Sequence, residues 1–199
     1  MDVAIVVFDG VDELDAVGPY RVFAGATSAG AEVSVELVTV EEPRTVTTSY
    51  GLELRTEHTL ADVEPDLVVV PGGGWNSRAD ESAWAEAQRG VIPEAVATLH
   101  RDGVTVAGVC TGGMLLAEAG LTDGRPAITH AGAIDDLRET GADVVEARVV
   151  DDGDLLTAGG VTAGLDLALY VLEREFGESV ADAVATNLEY ERRGNVWRA

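Results

Sequence analysis

Lysine is absent from this chain and cysteine occurs once. All 13 basic residues are arginine, set against 36 Asp and Glu, for a formal net charge of −23. A polyanionic surface repels nucleic acid and anionic lipid, so those partners are excluded. It also repels itself, which is tolerable where salt shortens the Debye length from about 10 Å to about 3 Å near 1 M. A salt-adapted, halophilic cytoplasm is the setting this composition predicts. One cysteine permits no intramolecular disulfide and no Cys-rich structural metal site. No apolar run approaches the ~20 residues of a membrane span. The N-terminus, with Asp2 and an apolar stretch confined to residues 3–8, lacks the form of a secretory signal. The expectation is a soluble cytoplasmic protein, organised as one domain over residues 1–199.

What is present is an alternation of strand and helix patterns. Residues 3–8, 66–70 and 104–109 are apolar runs of strand length, the form taken by central parallel strands buried on both faces. Residues 33–40 alternate as a further strand. Residues 45–54 read as a hairpin at a sheet edge, and 126–129 as a short strand. Residues 144–150 and 155–157 flank a turn at 151–154. Helical patterns cover 11–26, with a break at Gly18-Pro19; 81–101, interrupted at Pro93; 112–119, capped by Gly120; 133–140; 162–176; and 179–191. Such an order predicts an α/β fold, a mostly parallel sheet with helices on both faces.

In sheets of this kind the ligand crevice lies beyond the carboxyl ends of the strands. Gly108-Val109-Cys110-Thr111-Gly112 stands there and fits a nucleophile elbow, whose small flanking residues allow the sharp strand-to-helix turn that exposes the nucleophile. The turn places Cys110 at a helix N-terminus, where unpaired amides favour thiolate. Read otherwise, the lone cysteine is a small buried hydrophobe among packing glycines. Pro71-Gly72-Gly73-Gly74 supplies a second strand-end loop; with Thr111, its amides are candidates for an oxyanion hole, or it is a plain turn. Asp12 and Glu13 suit helix capping and the surface, whereas Asp15, among Leu14, Ala16 and Val17, is a candidate acid–base partner for the sulfur. His58 and His100 read as surface residues. His130, after a strand, belongs either to this same face or to the core.

Leu14-Asp15-Ala16-Val17-Gly18-Pro19, Pro71-Gly72-Gly73, Val109-Cys110-Thr111-Gly112, Thr129-His130 and the run from Gly159 to Asp166 resemble the ThiJ/PfpI superfamily (class I glutamine amidotransferase-like), and within it the isocyanide hydratase branch. The resemblance covers almost the whole chain. It implies a flavodoxin-like three-layer sandwich and a homodimer, with no metal and no organic cofactor. Carried over by position, it makes Cys110 the nucleophile, Asp15 the acid–base partner, Thr111 the threonine that follows the cysteine, and Gly72 and Gly73 the loop beside the sulfur. His130 joins the substrate-binding set. The implied reaction turns a small isocyanide into an N-substituted formamide through a Cys110 thioimidate. Ala131, where similar hydratases carry Trp, and a chain end soon after Tyr190 depart from that branch.

Other functions of the superfamily fit less well. Peptidase-like members place His directly after the cysteine, and here Thr111 stands there. Deglycase or glyoxalase members carry Glu at the position of Asp15. A glutamine amidotransferase needs a downstream His, and none follows His130. A transcription regulator needs a DNA-contacting segment, which this charge opposes. A redox sensor built on Cys110 stays open beside the enzyme.

Overall fold

The computed structural model describes residues 1–199. Twelve strands and seven α-helices follow one another along the chain. In order they are β1 (Asp2–Val6), α1 (Glu13–Ala26), β2 (Ser34–Thr39), β3 (Thr45–Thr47), β4 (Glu53–Arg55), β5 (His58–Thr59), β6 (Leu67–Val70), α2 (Ala83–Arg89), α3 (Val91–Arg101), β7 (Thr105–Val109) and α4 (Gly112–Glu118). The second half adds β8 (Pro126–Ala127), α5 (Ile134–Glu139), β9 (Asp143–Val144), β10 (Val149–Asp151), β11 (Leu155–Ala158), α6 (Ala163–Phe176), α7 (Glu178–Asn187) and β12 (Val196–Arg198).

Eight strands form one sheet in the order β12-β10-β11-β7-β6-β1-β2-β5, with every pairing parallel except β10 to β11. Its five central strands, β2-β1-β6-β7-β11, have the order of a flavodoxin-like sheet. Helices α1, α6 and α7 pack together on one face and α2, α3 and α4 on the other, giving three layers. The central strands are buried end to end: Val3 to Val6 and Leu67 to Val70 are all at most 2% exposed. Each such Val, Ile or Leu contributes about 1.5–3 kcal/mol on burial, which is why these runs show no polar alternation. No helix is long and apolar enough to cross a membrane.

Several expectations are corrected. Helix α1 runs unbroken through Pro19, which forfeits only one hydrogen bond to the helix. Its ring lies against α6, where a Cβ on Gly164 would stand 3.2 Å from Pro19 Cγ. The helical stretch 81–101 divides at Gly90, in the left-handed region at φ +74°, rather than at Pro93. Pro93 sits in the first turn of α3, where its missing N–H costs nothing. The hairpin β3–β4 forms its own two-stranded sheet, because Asp9 receives Thr47 N at 2.8 Å and Arg44 Nη1 at 2.5 Å. The edge of the main sheet goes to β5 instead. The pattern at 126–129 contributes only Pro126–Ala127, which pairs with β9 outside the main sheet; the strand expected over 144–150 is interrupted at 145–148, leaving Val144 in β9 and Val149–Val150 in β10. His100 is half-buried, its Nε2 3.4 Å from Arg125 Nη1.

The excess charge has a thermal consequence. Ion pairs engage most of the arginines, yet carboxylates outnumber arginines by 23. Screening this surplus is expected to raise the melting temperature by at least about 5 °C between ~0.1 M and ~2 M KCl. A melting temperature that stays level or falls across that range would remove the halophilic reading.

Candidate active site

The carboxyl ends of β1, β6 and β7 meet at one place, where the sheet order reverses between β1 and β6. Cys110 follows β7 there with φ +56°, a left-handed conformation that a residue with a Cβ adopts only at a cost of about 1–3 kcal/mol. The surroundings fix it. Its N–H donates to the carbonyls of Ala158 at 3.1 Å and Gly159 at 3.0 Å. Its own carbonyl accepts Thr129 Oγ1 at 2.9 Å and Gly113 N at 3.2 Å. The turn requires Gly112, since a Cβ there would overlap the carbonyl oxygen of Val70. The nucleophile elbow read in the sequence is therefore present in the backbone.

Asp15 reaches the same point from α1. Asp12 caps that helix, its Oδ1 accepting Leu14 N at 3.0 Å. Asp15 is then the third helical residue, the place from which a side chain commonly folds back to the cap. Here the Asp12 N–H is taken by Gly72 O at 2.9 Å, and the Asp15 side chain turns inward instead. Its Oδ2 accepts Gly72 N at 3.1 Å. Oδ1 is buried with no hydrogen-bond partner, and the Cys110 thiol acts on the same carboxyl. Asp15 is fully buried, and burial, reinforced by the charge of Asp12, pushes its carboxyl up to about 8. The helix dipole, worth about 0.3–1 kcal/mol, favours the carboxylate but is outweighed by desolvation. At neutral pH Asp15 holds its proton. With Gly72 N–H on Oδ2, the proton belongs on Oδ1.

The thiol departs from expectation. A helix N-terminus was expected to favour thiolate, yet burial, and next the Asp15 charge, push Cys110 up to about 12. The backbone amides of Val161 and Thr111 act in the opposite direction and favour the thiolate. The repulsion by Asp15 operates only while that carboxyl is ionised. When Asp15 carries the proton, burial alone stands against two N–H donors and an acid O–H. The pair thus releases one proton as a unit and can hold a sulfur anion beside a carboxylic acid.

Gly72 and Gly73 have specific tasks. The Gly72 amide serves Asp15, and the Gly73 amide donates to Thr111 Oγ1 at 3.0 Å. Both are thus engaged in this state and do not form the open oxyanion hole expected of them; the donors aimed at the reacting atom are Thr111 and Val161. The loop abuts the elbow so closely that a Cβ on Gly72 would stand 2.5 Å from Thr111 N. His130 lies at the site rather than in the core. Its Nδ1 accepts Gly132 N at 3.0 Å, which puts the ring proton on Nε2. Nε2 would stand 3.1 Å from a Cβ on Gly160, next to Val161. Sequence reasoning brought Cys110, Asp15, Thr111, Gly72, Gly73 and His130 to one place, and they are together. It did not find Val161, whose contribution is a backbone amide, or Thr129. Both lie within the motifs Thr129-His130 and Gly159 to Asp166 that carry the resemblance, but no role was assigned to either.

Comparison with known proteins places this geometry in context. The profile of the DJ-1/PfpI family matches residues 1–174. An isonitrile hydratase of Pseudomonas putida is 35% identical over 192 residues, spanning 96% of this chain and 78% of the relative. A deglycase of Pyrococcus horikoshii is 30% identical over 140 residues, 68% of this chain and 76% of its own. Among solved structures, a ThiJ/PfpI family protein from Pseudomonas syringae superposes with a TM-score of 0.84 at 27% identity, covering 96% of this chain and 76% of that one. Drosophila melanogaster DJ-1beta superposes with a TM-score of 0.81 at 21% identity, over 96% and 98%.

Proposed function

Because this chain belongs to the DJ-1/PfpI family, we propose that it is a cysteine-dependent hydratase which converts an isocyanide to an N-substituted formamide. The observation that carries this reading is the buried pair of Cys110, on its elbow after β7, and Asp15, whose carboxyl burial pushes up to about 8, with Thr111 and not a histidine following the cysteine. An isocyanide needs a nucleophile and a proton delivered to the same carbon, and this pair supplies both. The 35% identity to an isonitrile hydratase supports the same assignment.

The sulfur anion attacks the terminal carbon of R–NC and forms the S–C bond. Asp15 gives its proton to that carbon, leaving the thioimidate R–N=CH–S–Cys110 and an Asp15 carboxylate. The carboxylate takes a proton from water as the water oxygen adds to the carbon and passes it to the nitrogen, giving R–NH–CH(OH)–S–Cys110; it then takes the hydroxyl proton as the carbonyl forms. Collapse breaks the S–C bond and releases R–NH–CHO, with the pair restored to its starting charge. The sum is one isocyanide and one water to one formamide. The amides of Thr111 and Val161 hold the sulfur's negative charge before attack and as it departs.

A homodimer belongs to this reading as well. Leu14 and Leu52 are 39% and 48% exposed and Tyr50 86%, at the tip of a hairpin that Glu13 ties to α1 through Tyr50 N at 2.9 Å. A second copy of the chain would cover them. The direct assay of function supplies a simple alkyl isocyanide at molar salt and measures formamide, with methylglyoxal offered separately. Formamide is expected and methylglyoxal is expected to be left intact. Methylglyoxal turnover without formamide would establish the deglycase alternative; neither product, with Cys110 oxidising readily, would establish the sensor.

A further inference from the structure

Val161 carries a β-branched side chain at φ +42°, a conformation that such residues rarely adopt. Its loop lies against the nucleophile, since Cys110 N donates to the Gly159 carbonyl at 3.0 Å, and its amide favours the Cys110 thiolate. Gly159 and Gly160 precede it and lend the loop no stiffness of their own. The restraint comes from the next residue. Thr162 Oγ1 accepts Arg148 Nη2 at 3.0 Å, and Arg148 Nε is held by Asp166 Oδ2 at 2.5 Å. Asp166 is 5% exposed and fully engaged: Tyr190 Oη donates to Oδ2 at 2.9 Å and Arg193 N to Oδ1 at 2.8 Å. Gly194 lies so close to the Arg148 stem that a Cβ there would stand 2.8 Å from Arg148 Cβ. The Arg148 carbonyl accepts Gly159 N at 3.0 Å, so the same residue grips both ends of the loop. Tyr190, Arg193 and Gly194 lie outside the segment that matches the family profile.

We propose that Arg148, Asp166 and Tyr190 are positioning residues, a clamp by which residues 190–194 hold Val161 in its strained conformation beside Cys110. The clamp makes the C-terminal segment part of the nucleophile's environment although it never touches the sulfur. It rests on Cys110 being the nucleophile, as in the reading above. Asp15 is the titratable group that faces the sulfur, and it is left intact in every variant used below.

Removing Arg148 or Asp166 would strand a buried charge and endanger folding, so milder exchanges are the test. Thr162→Val deletes the link between clamp and loop at constant shape. Thr162→Ser restores the hydroxyl. Tyr190→Phe deletes one arm on Asp166. Iodoacetamide alkylation of Cys110 in the full chain is followed from about pH 6 to about pH 10 at molar salt, with thermal melting in parallel. Thr162→Val and Tyr190→Phe are each expected to slow alkylation at pH ~8 about fivefold, the scale of coupling passed through a packed network. Thr162→Ser returns to the wild-type rate, and all three melt within about 2 °C of wild type. A merely loosened structure would expose the sulfur and speed alkylation, the opposite sign. Thr162→Val profiles that superimpose on wild type, or speed up, overturn the clamp and leave the nucleophile standing. A wild-type Cys110 that is never alkylated across the range overturns both.

Discussion

Asp15→Asn is expected to lose at least about a hundredfold in formamide production, the scale of a positioned general acid, while melting several degrees above the wild type at pH ~8. Cys110→Ala, which lacks the nucleophile, is expected to produce no formamide. The two effects of Asp15→Asn have one cause. The folded chain holds the Asp15 proton up to about 8, while an unfolded aspartate releases it near the ordinary value of 3.8. Between those values folding takes up a proton, so stability from this group is greatest at low pH and declines as pH rises, by up to about 1.4 kcal/mol per pH unit. Asparagine keeps the shape and an acceptor for Gly72 N but never has to be neutralised. Even if its amide is poorly matched to the sulfur, a gain of about 2 kcal/mol is expected at pH ~8, or roughly 4–8 °C for a chain of this size. The advantage should shrink to a small remainder near pH 4 and vanish below about pH 3, where the wild-type carboxyl is protonated in both states. Melting curves of the two proteins that stay parallel from about pH 4 to about pH 8 would show that Asp15 is not held protonated.

Gly112→Ala is expected to destabilise the chain by at least about 3 kcal/mol, roughly 6–12 °C, or to prevent folding. The added Cβ would overlap the Val70 carbonyl oxygen and stand 2.8 Å from its carbon and 3.0 Å from that of Pro71. These are backbone atoms at the end of β6, fixed in register by β1 and β7, and no rotamer change moves them. Gly120→Ala is the control. Gly120 sits at φ +72° after α4, but nothing lies within 4 Å of its Cβ position. Its loss is the left-handed penalty alone, about 1–2 kcal/mol, with activity retained. Equal melting temperatures for the two variants would mean that contact with β6 does not dictate the elbow.

Much of this was legible in the chain as written. The buried parallel strands announce themselves because residues apolar on both faces have no other use, and β1, β6 and β7 stand where those runs predicted. The elbow is local too: two glycines around Cys110 and a strand leading into it encode the turn. Elements defined by pairing were not legible. β12 is three residues with no period of their own, a strand only because β10 lies beside it. Gly90 ended a helix that Pro93 was expected to interrupt, because proline in a first turn loses no bond while a left-handed glycine redirects the chain.

The sequence by itself determined the α/β sheet, the strained cysteine at a strand end, and the residue types that meet it: an aspartate, a threonine and two glycines. Only the tertiary structure decided their protonation and their tasks. Asp15 is an ordinary carboxylate in a first helical turn until β6 and β7 close over it and remove its water. Cys110 gains no thiolate from its short helix, because the same burial opposes charge. The donors that make a sulfur anion tenable include the backbone of Val161, placed there by a loop from a distant strand and by the chain's last residues. Charge at this site is set by what excludes water and which amides converge, and neither is written in the order of the side chains.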